Sequence, residues 1–361
     1  MRTLARVLGL ASALVAVGAC SRDNTTASGQ KPAAPSTAPA APARPSAPET
    51  GSFRHPAAAR VVAIGDVHGD LAATRAALRL AGAIDATDRW IGGDLVVVQT
   101  GDQLDRGDEE RQIVDLFDRL IDEAPRSSGK VIALNGNHEV MNVQGDFRYV
   151  TAQGFLDFAN VSETSPHASR VSERERQRAA AFLPGGEYAK RLAARDVIAI
   201  VGDTVFVHGG VLPEHVDYGI GRLNAETRAW MSGTSLPAPP SIAAPRAPIW
   251  VRDYSEDPPS AAACAQLGRA LEGLGVRRMV VGHTVQAGGV NSACESRVFR
   301  IDVGLARYYG KNPVQVLEIT GNSTRILSGE RDTPLVPPAS TLPGTRRPER
   351  RPGLPAAATP P

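Results

Sequence analysis

Five short motifs set hard metal ligands beside backbone turns, in one order along the chain. They are Gly65-Asp66-Val67-His68-Gly69, Gly101-Asp102-Gln103-Leu104-Asp105-Arg106-Gly107, Gly136-Asn137-His138-Glu139, His208-Gly209-Gly210 and Gly282-His283-Thr284. Taken singly, each has an ordinary explanation: Gly-Asp closes a tight turn, and Asn-His-Glu caps a helix. Each motif, however, follows an apolar, β-branched run. Together they bring carboxylate, amide and imidazole groups from several strand ends to one rim. That donor set suits two divalent metal ions, whereas a closed structural zinc site would recruit several cysteines. Of the histidines, 68, 138, 208 and 283 lie inside the motifs, and His55, His167 and His215 lie outside.

The spacing suggests a division of labour. Asp66 and His68, two apart on a turn, are placed to grip one ion; Asn137, His208 and His283 are placed to grip the other, and Asp102 to bridge both. Two such ions about 3.5–4 Å apart acidify a bridging water and neutralise a phosphoryl group during in-line displacement. Arg106 is spaced to aim its guanidinium at phosphate oxygens. His138 is placed to protonate the leaving oxygen, and Asp105 to accept the other ring N–H, fixing the tautomer and raising the imidazole pKa. The expected chemistry is phosphate-ester hydrolysis.

The elements that must position these residues are visible as apolar runs at 61–64, 95–100, 131–134, 205–207 and 279–281, as expected for strands buried on both faces. Residues 198–201 and 204–207 flank Gly202-Asp203, a two-residue hairpin turn, and 298–302 and 314–319 add later strands. Asp70 is placed to cap a helix running from Leu71 towards Ala81. Asp108 is placed to cap another that carries Ile113, Leu116, Phe117 and Leu120 on one face, and 262–274 reads as a third. Alternating strands and helices predict a layered α/β domain over 58–332, with its crevice at the carboxyl ends of the strands. A partly helical insertion at about 141–190 interrupts the rhythm with Phe147, Tyr149, Phe155, Phe158 and a charged stretch at 170–178. Residues 232–249, rich in Pro and Ala, read as a loop.

The 361 residues are 42% hydrophobic, enough for one large domain. A net charge of +2 and 5% aromatics argue against a nucleic-acid partner. The N-terminus carries Arg2 and Arg6, an apolar core at 7–17 too short to span a bilayer, and Val17-Gly18-Ala19-Cys20. Residues 1–20 therefore read as a signal peptide, 21–57 as a disordered Ala/Pro/Ser/Thr tether, and 333–361 as a disordered Pro/Arg-rich tail. Export to an oxidising compartment leaves two readings for Cys264 and Cys294: a disulfide, or two buried free thiols.

The set GDVHG, GDQLDRG, GNHE, HGG and GHT resembles the calcineurin-like metallophosphoesterases, in their phosphoprotein phosphatase branch. The resemblance spans about 60–320 and implies a central β-sandwich flanked by helices. It also implies metal roles for Asp66, His68, Asp102, Asn137, His208 and His283, phosphate binding by Arg106, and proton donation by His138 with Asp105 behind it. Arg252, in Ile249-Trp250-Val251-Arg252-Asp253-Tyr254, best matches the second phosphate-binding arginine. Val285 stands where many calcineurin-like enzymes carry a second histidine, which fits the phosphoprotein phosphatase branch. The segments 134–147 and 280–286 look like the bacterial-type Shewanella-like phosphatases, which implies a leaning towards phosphotyrosine. The aromatic insertion either shapes a deep pocket for an aryl phosphate or simply packs on the domain. Manganese is the expected ion, with iron and zinc tolerated by the same ligands.

The segment ending at Cys20 resembles the lipobox of bacterial lipoproteins. That implies a lipid anchor as the membrane contact and, since Ser21 rather than Asp follows the cysteine, the periplasmic face of the outer membrane. The expected substrate is a phosphoprotein or a small phosphomonoester. Two other readings compete: hydrolysis of nucleotides or dinucleoside polyphosphates, and a surface-anchored protein that retains metal without turnover.

Overall fold

Residues 53–162 and 171–329 are described by a computed structural model. Eleven strands occur among them: β1 (Arg54–His55), β2 (Val61–Ile64), β3 (Val96–Gln99), β4 (Lys130–Ala133), β5 (Ile198–Val201), β6 (Thr204–Val207), β7 (Arg278–Val281), β8 (Asn291–Ala293), β9 (Val298–Arg300), β10 (Val314–Thr320) and β11 (Ser323–Gly329). They form two sheets, one ordered β1-β5-β6-β7-β9-β8 and the other β11-β10-β2-β3-β4. Within the second, β2, β3 and β4 run parallel. Within the first, β6, β7 and β9 run parallel. Each of these six strands leads into a residue of one rim, namely Asp66, Asp102, Asn137, His208, His283 and Asp302, which is how parallel neighbours bring distant sequence together.

The helices are α1 (Leu71–Leu80), α2 (Glu110–Glu123), α3 (Asn137–Gln144), α4 (Ala152–Leu156), α5 (Arg176–Phe182), α6 (Glu187–Ala193), α7 (Pro213–Tyr218), α8 (Ile220–Met231), α9 (Pro240–Ala243) and α10 (Ala261–Leu274). Alternation along the first sheet separates two apolar layers. Ala199, Val201, Phe206, Val280 and Phe299 join β2, β3 and the inward faces of α1 and α2 in one buried cluster. Ile198, Ile200, Val205, Val207, Met279 and Val281 pack instead with Leu192 of α6, Leu223 and Trp230 of α8, and Leu267 and Leu271 of α10. The result is helices, sheet, sheet, helices: a β-sandwich flanked on both sides, as expected.

Several local readings change. Asp70 does cap α1, accepting from Ala73 N at 3.0 Å. Asp108 does not cap α2: the cap position falls at Glu109, without a side-chain cap bond, and Asp108 accepts from Thr151 Oγ1 instead. The stretch read as a tether up to residue 57 contains β1, which pairs with β5. The loop at 232–249 contains the single turn α9. The helix α3 begins at Asn137, inside a metal-binding motif, so the insertion begins from a helix rather than from a strand end. The signal segment and the tail at 333–361 lie outside the described residues, among which no helix is long and apolar enough to cross a membrane.

Cys264, in the first turn of α10, is bonded to Cys294, in the turn between β8 and β9, with a Cα separation of 5.3 Å. Of the two readings of these cysteines, the paired one is realised. The bridge closes a loop of 30 residues, worth roughly 3–4 kcal/mol in lost unfolded-state entropy. Cys264→Ser with Cys294→Ser is expected to lower unfolding free energy by about that amount, measured by urea titration without reductant. Equal stability of the two proteins would contradict the entropic argument.

Candidate metal centre

The motifs converge where the strands end. His68 Nδ1 donates to Leu104 O at 3.0 Å, and His208 Nδ1 donates to Thr100 O at 3.0 Å. A carbonyl only accepts, so each ring carries a proton on Nδ1, and Nε2 is the ring atom turned inward. His208 Nε2 then faces Asn137 Oδ1 at 2.8 Å, His283 Nδ1 at 3.0 Å and Asp102 Oδ2 at 3.2 Å. His68 Nε2 lies 3.7 Å from Asp102 Oδ2 and 4.0 Å from Asp66 Oδ2. Buried His283 Nε2 has no hydrogen-bond partner.

The ligand atoms of His68, Asp102 and His138 all lie within 4.8 Å of one another, as do those of Asp102, His208 and His283. Asp102 is common to both groups. With His208 neutral, its Nε2, Asn137 Oδ1 and Asp102 Oδ2 converge as lone pairs that repel one another, and a cation would satisfy them together, whereas His68 Nε2 is met by Arg106. The backbone is shaped to the same end. A Cβ at Gly136 would fall 2.2 Å from Asp102 Oδ1, and one at Gly282 2.4 Å from Asp66 Oδ1. These residues fit divalent ions.

Charge follows burial and neighbours. Burial, Asp302 and Asp102 push the Asp66 carboxyl well above the usual range. Burial works the same way on Asp102, but the imidazoles of His208 and His138 outweigh it and hold that carboxylate well below. Burial holds His68 well below its ordinary value, and burial with His208 and Arg252 brings His283 down to about 2. The imidazoles of His68 and His283 are therefore neutral, as metal binding requires.

His138 behaves oppositely. Burial would lower it, yet Asp102 and Asp105 raise it. Its Nδ1 meets Asp105 Oδ2 at 2.5 Å, while Nε2 lies 3.8 Å from Asp102 Oδ2. Arg106 Nη1 lies against His68 Nε2 and Tyr309 Oη, both at 2.5 Å, with the rings of Tyr149, Tyr308 and Tyr309 around its guanidinium. Arg252 approaches from the other side, donating to His283 O at 3.1 Å and Thr284 Oγ1 at 2.7 Å. Every residue singled out by sequence is thus placed at this one site. The outlying His215 is structural, accepting from Leu212 N and donating to Arg246 O; His167 lies outside the described residues.

His68, Asp102, Asp105, Arg106 and His283 all have positive φ, between 39° and 68°. Such backbone costs on the order of 1–3 kcal/mol per residue and persists only where surroundings over-determine it. Glu139 supplies much of that constraint. Its Oε2 accepts from Gly136 N at 2.7 Å and Asp102 N at 2.8 Å, and its Oε1 accepts from Gln103 N at 2.8 Å and Leu104 N at 3.2 Å. One carboxylate therefore joins two ligand loops.

Sequence reasoning gave Glu139 no role, because Asn-His-Glu reads as an ordinary helix start. It also missed Asp302, buried beside Asp66. The signal was present: Asp302 follows an apolar run as Asp66 and Asp102 do, but it was read into the strand. Glu110 and Arg178 were missed altogether. Glu110 accepts from Asp105 N at 2.5 Å, and burial raises its carboxyl to about 7 against the pull of Arg178.

Residues 59–287 match the calcineurin-like phosphoesterase family. The chain belongs to this family of phosphatase enzymes. It is 41% identical over 296 residues to Shewanella-like protein phosphatase 2 of Arabidopsis thaliana, covering 73% of this chain and 76% of that one. It is 29% identical over 269 residues to Shewanella-like protein phosphatase 1 of Plasmodium berghei, covering 72% and 71%. Among solved structures it is similar to a cold-active protein tyrosine phosphatase determined at 1.1 Å, with a TM-score of 0.63, 27% identity and 78% of each chain covered.

Because Glu139 holds the loops rather than a ligand, its loss should act on the metal centre indirectly. Glu139→Gln is expected to weaken manganese binding about 10–100-fold, read by isothermal titration. Unaltered affinity would mean that the four amide bonds do not govern ligand geometry.

Proposed function

We propose that the protein is a binuclear-metal-dependent phosphomonoesterase with a preference for aryl phosphates such as phosphotyrosine. The observation that carries this reading is Asp102, shared between two ligand groups and flanked by the His138–Asp105 pair. Two divalent ions, manganese by preference, would be held by Asp66, His68 and Asp102 on one side and by Asp102, Asn137, His208 and His283 on the other. Bound there, they supply Lewis acidity towards the phosphoryl group and acidify water.

The chain's own residues account for the rest. Arg106 and Arg252 bring guanidinium groups to opposite sides of the centre, where they orient phosphate oxygens for in-line displacement. As the oxygen of an attacking hydroxide, water that has given up a proton to solvent, bonds to phosphorus, the opposite P–O ester bond breaks; its electron pair goes to the leaving oxygen, which takes a proton from His138 Nε2. Asp105 keeps the imidazole aimed by holding Nδ1–H. The exposed Tyr149 and Tyr308, stacked around Arg106, offer ring faces to an aryl ester. The tyrosine phosphatase named among the similar structures supports the same preference.

Asp102→Asn should abolish manganese-dependent hydrolysis of p-nitrophenyl phosphate. His138→Ala should lower kcat on a poor leaving group about 10²–10⁴-fold and remove the fall in kcat at alkaline pH, where the imidazole loses its proton. Higher kcat/KM on nucleotides than on phosphotyrosine peptides would replace this reading with the nucleotide one.

We also propose that the enzyme is exported and tethered by lipid at Cys20, at the periplasmic face of the outer membrane. The Cys264–Cys294 disulfide supports an oxidising compartment. Cys20→Ala should move the protein from the membrane to the soluble fraction on cell fractionation; an unchanged distribution would refute the anchor.

A further inference from the structure

Arg178 lies on α5, inside the insertion, and none of its surface reaches solvent. The rings of Phe147, Phe155, Phe158 and Phe182 surround its guanidinium at 5.0–6.0 Å from their centroids. A cation in such a place is tolerated only if its donors are met. Nε donates to Asn142 Oδ1 at 2.8 Å, Nη1 to Gly154 O at 3.0 Å and to Glu110 Oε2, and Nη2 to Asp105 Oδ1 at 3.3 Å. Asn142 turns its own amide to the same Asp105 Oδ1 at 3.0 Å and to His138 O at 2.9 Å. Glu110 Oε1 takes Asp105 N.

Asp105 is therefore gripped on every side but one. Its Oδ1 is held by Arg178 and Asn142, its backbone by Glu110, and only Oδ2 is left for His138. An insertion that merely packed on the domain would need no buried arginine reaching through an aromatic cluster to this carboxylate.

We propose that Arg178 is a positioning residue for the proton-donating pair: by occupying Asp105 Oδ1 it leaves Oδ2 as the acceptor for His138 Nδ1–H, so the insertion sets the tautomer and aim of the imidazole. The inference rests on the phosphomonoesterase reading of the site. Arg178 touches neither substrate nor metal in this role, and it acts through Asp105.

Leaving groups provide the test. p-Nitrophenolate departs with little help from a proton, whereas phenolate needs one. In the manganese-loaded full-length protein, Arg178→Met should lower kcat on phenyl phosphate about tenfold or more beyond any loss on p-nitrophenyl phosphate. KM should stay within about twofold on both, and Arg178→Lys should recover part of the loss. Both substrates sample the same folded fraction, so the ratio is insensitive to partial unfolding. If Arg178→Met does not fold, Arg178→Lys alone should shift the ratio in the same direction.

In parallel, ¹⁵N-histidine labelling of the metal-free protein should show a downfield His138 Nδ1–H signal, identified by its absence in His138→Ala. That signal should be lost in the Arg178 variant used. An unchanged substrate ratio in an enzyme that splits both esters overturns the Arg178 assignment and leaves the phosphatase reading standing. If wild type splits neither ester, the phosphatase reading falls, and the signal alone decides Arg178: loss supports positioning, and persistence overturns it.

Discussion

Asp102 is an anionic carboxylate buried where imidazole and amide lone pairs also point, and most of the surrounding structure answers to that fact. A charge removed from water is costly unless it is paired or coordinated. Here Oδ1 accepts from His138 N at 3.0 Å, and Oδ2 faces the Nε2 atoms of His68, His138 and His208. The backbone must adopt positive φ at Asp102 and pass close to Gly136 to set this up. The Glu139 carboxylate then holds four amides of the two loops in place. Packing of Val67 and Leu104 into the core anchors the loops, and the carboxylate adds the directional constraint that the strained backbone needs.

From that centre outward, successive residues leave the candidate ligand groups and bear on the His138–Asp105 pair. His138 is raised where His68 and His283 are lowered, although all are buried, because Asp105 and Asp102 both lie against it. One residue type thus serves as ligand or as acid according to which carboxylates face it. Asp105 owes its aim to Arg178 on α5 and Asn142 on α3. The insertion is therefore joined to the reaction centre by a continuous polar chain through an aromatic core.

The family match over residues 59–287 contains all five motifs, and the similarity to Shewanella-like protein phosphatases extends well beyond them. Those segments were legible for a physical reason. Metal ligands at strand ends need a fixed residue type followed or preceded by glycine, and the apolar runs that carry them are continuous. Arg178 was not legible in the same way. In Arg176–Phe182 it is one charge among several in a charged stretch, and only folding separates it from the exposed ones. Asp108 shows the converse, since a sequence-competent cap lost its role to a tertiary bond with Thr151.

Sequence alone therefore determined the chemistry: the ligand types, their order along the chain, the alternation of strands and helices, and the family to which these belong. These are local properties, written in neighbouring residues and in the period of apolar runs. Tertiary structure decided which buried groups would be pushed towards their neutral forms, whether Cys264 would meet Cys294, and that an arginine some forty residues from His138 would stand behind Asp105. Those outcomes depend on burial and on distances between remote segments, and no local pattern encodes either.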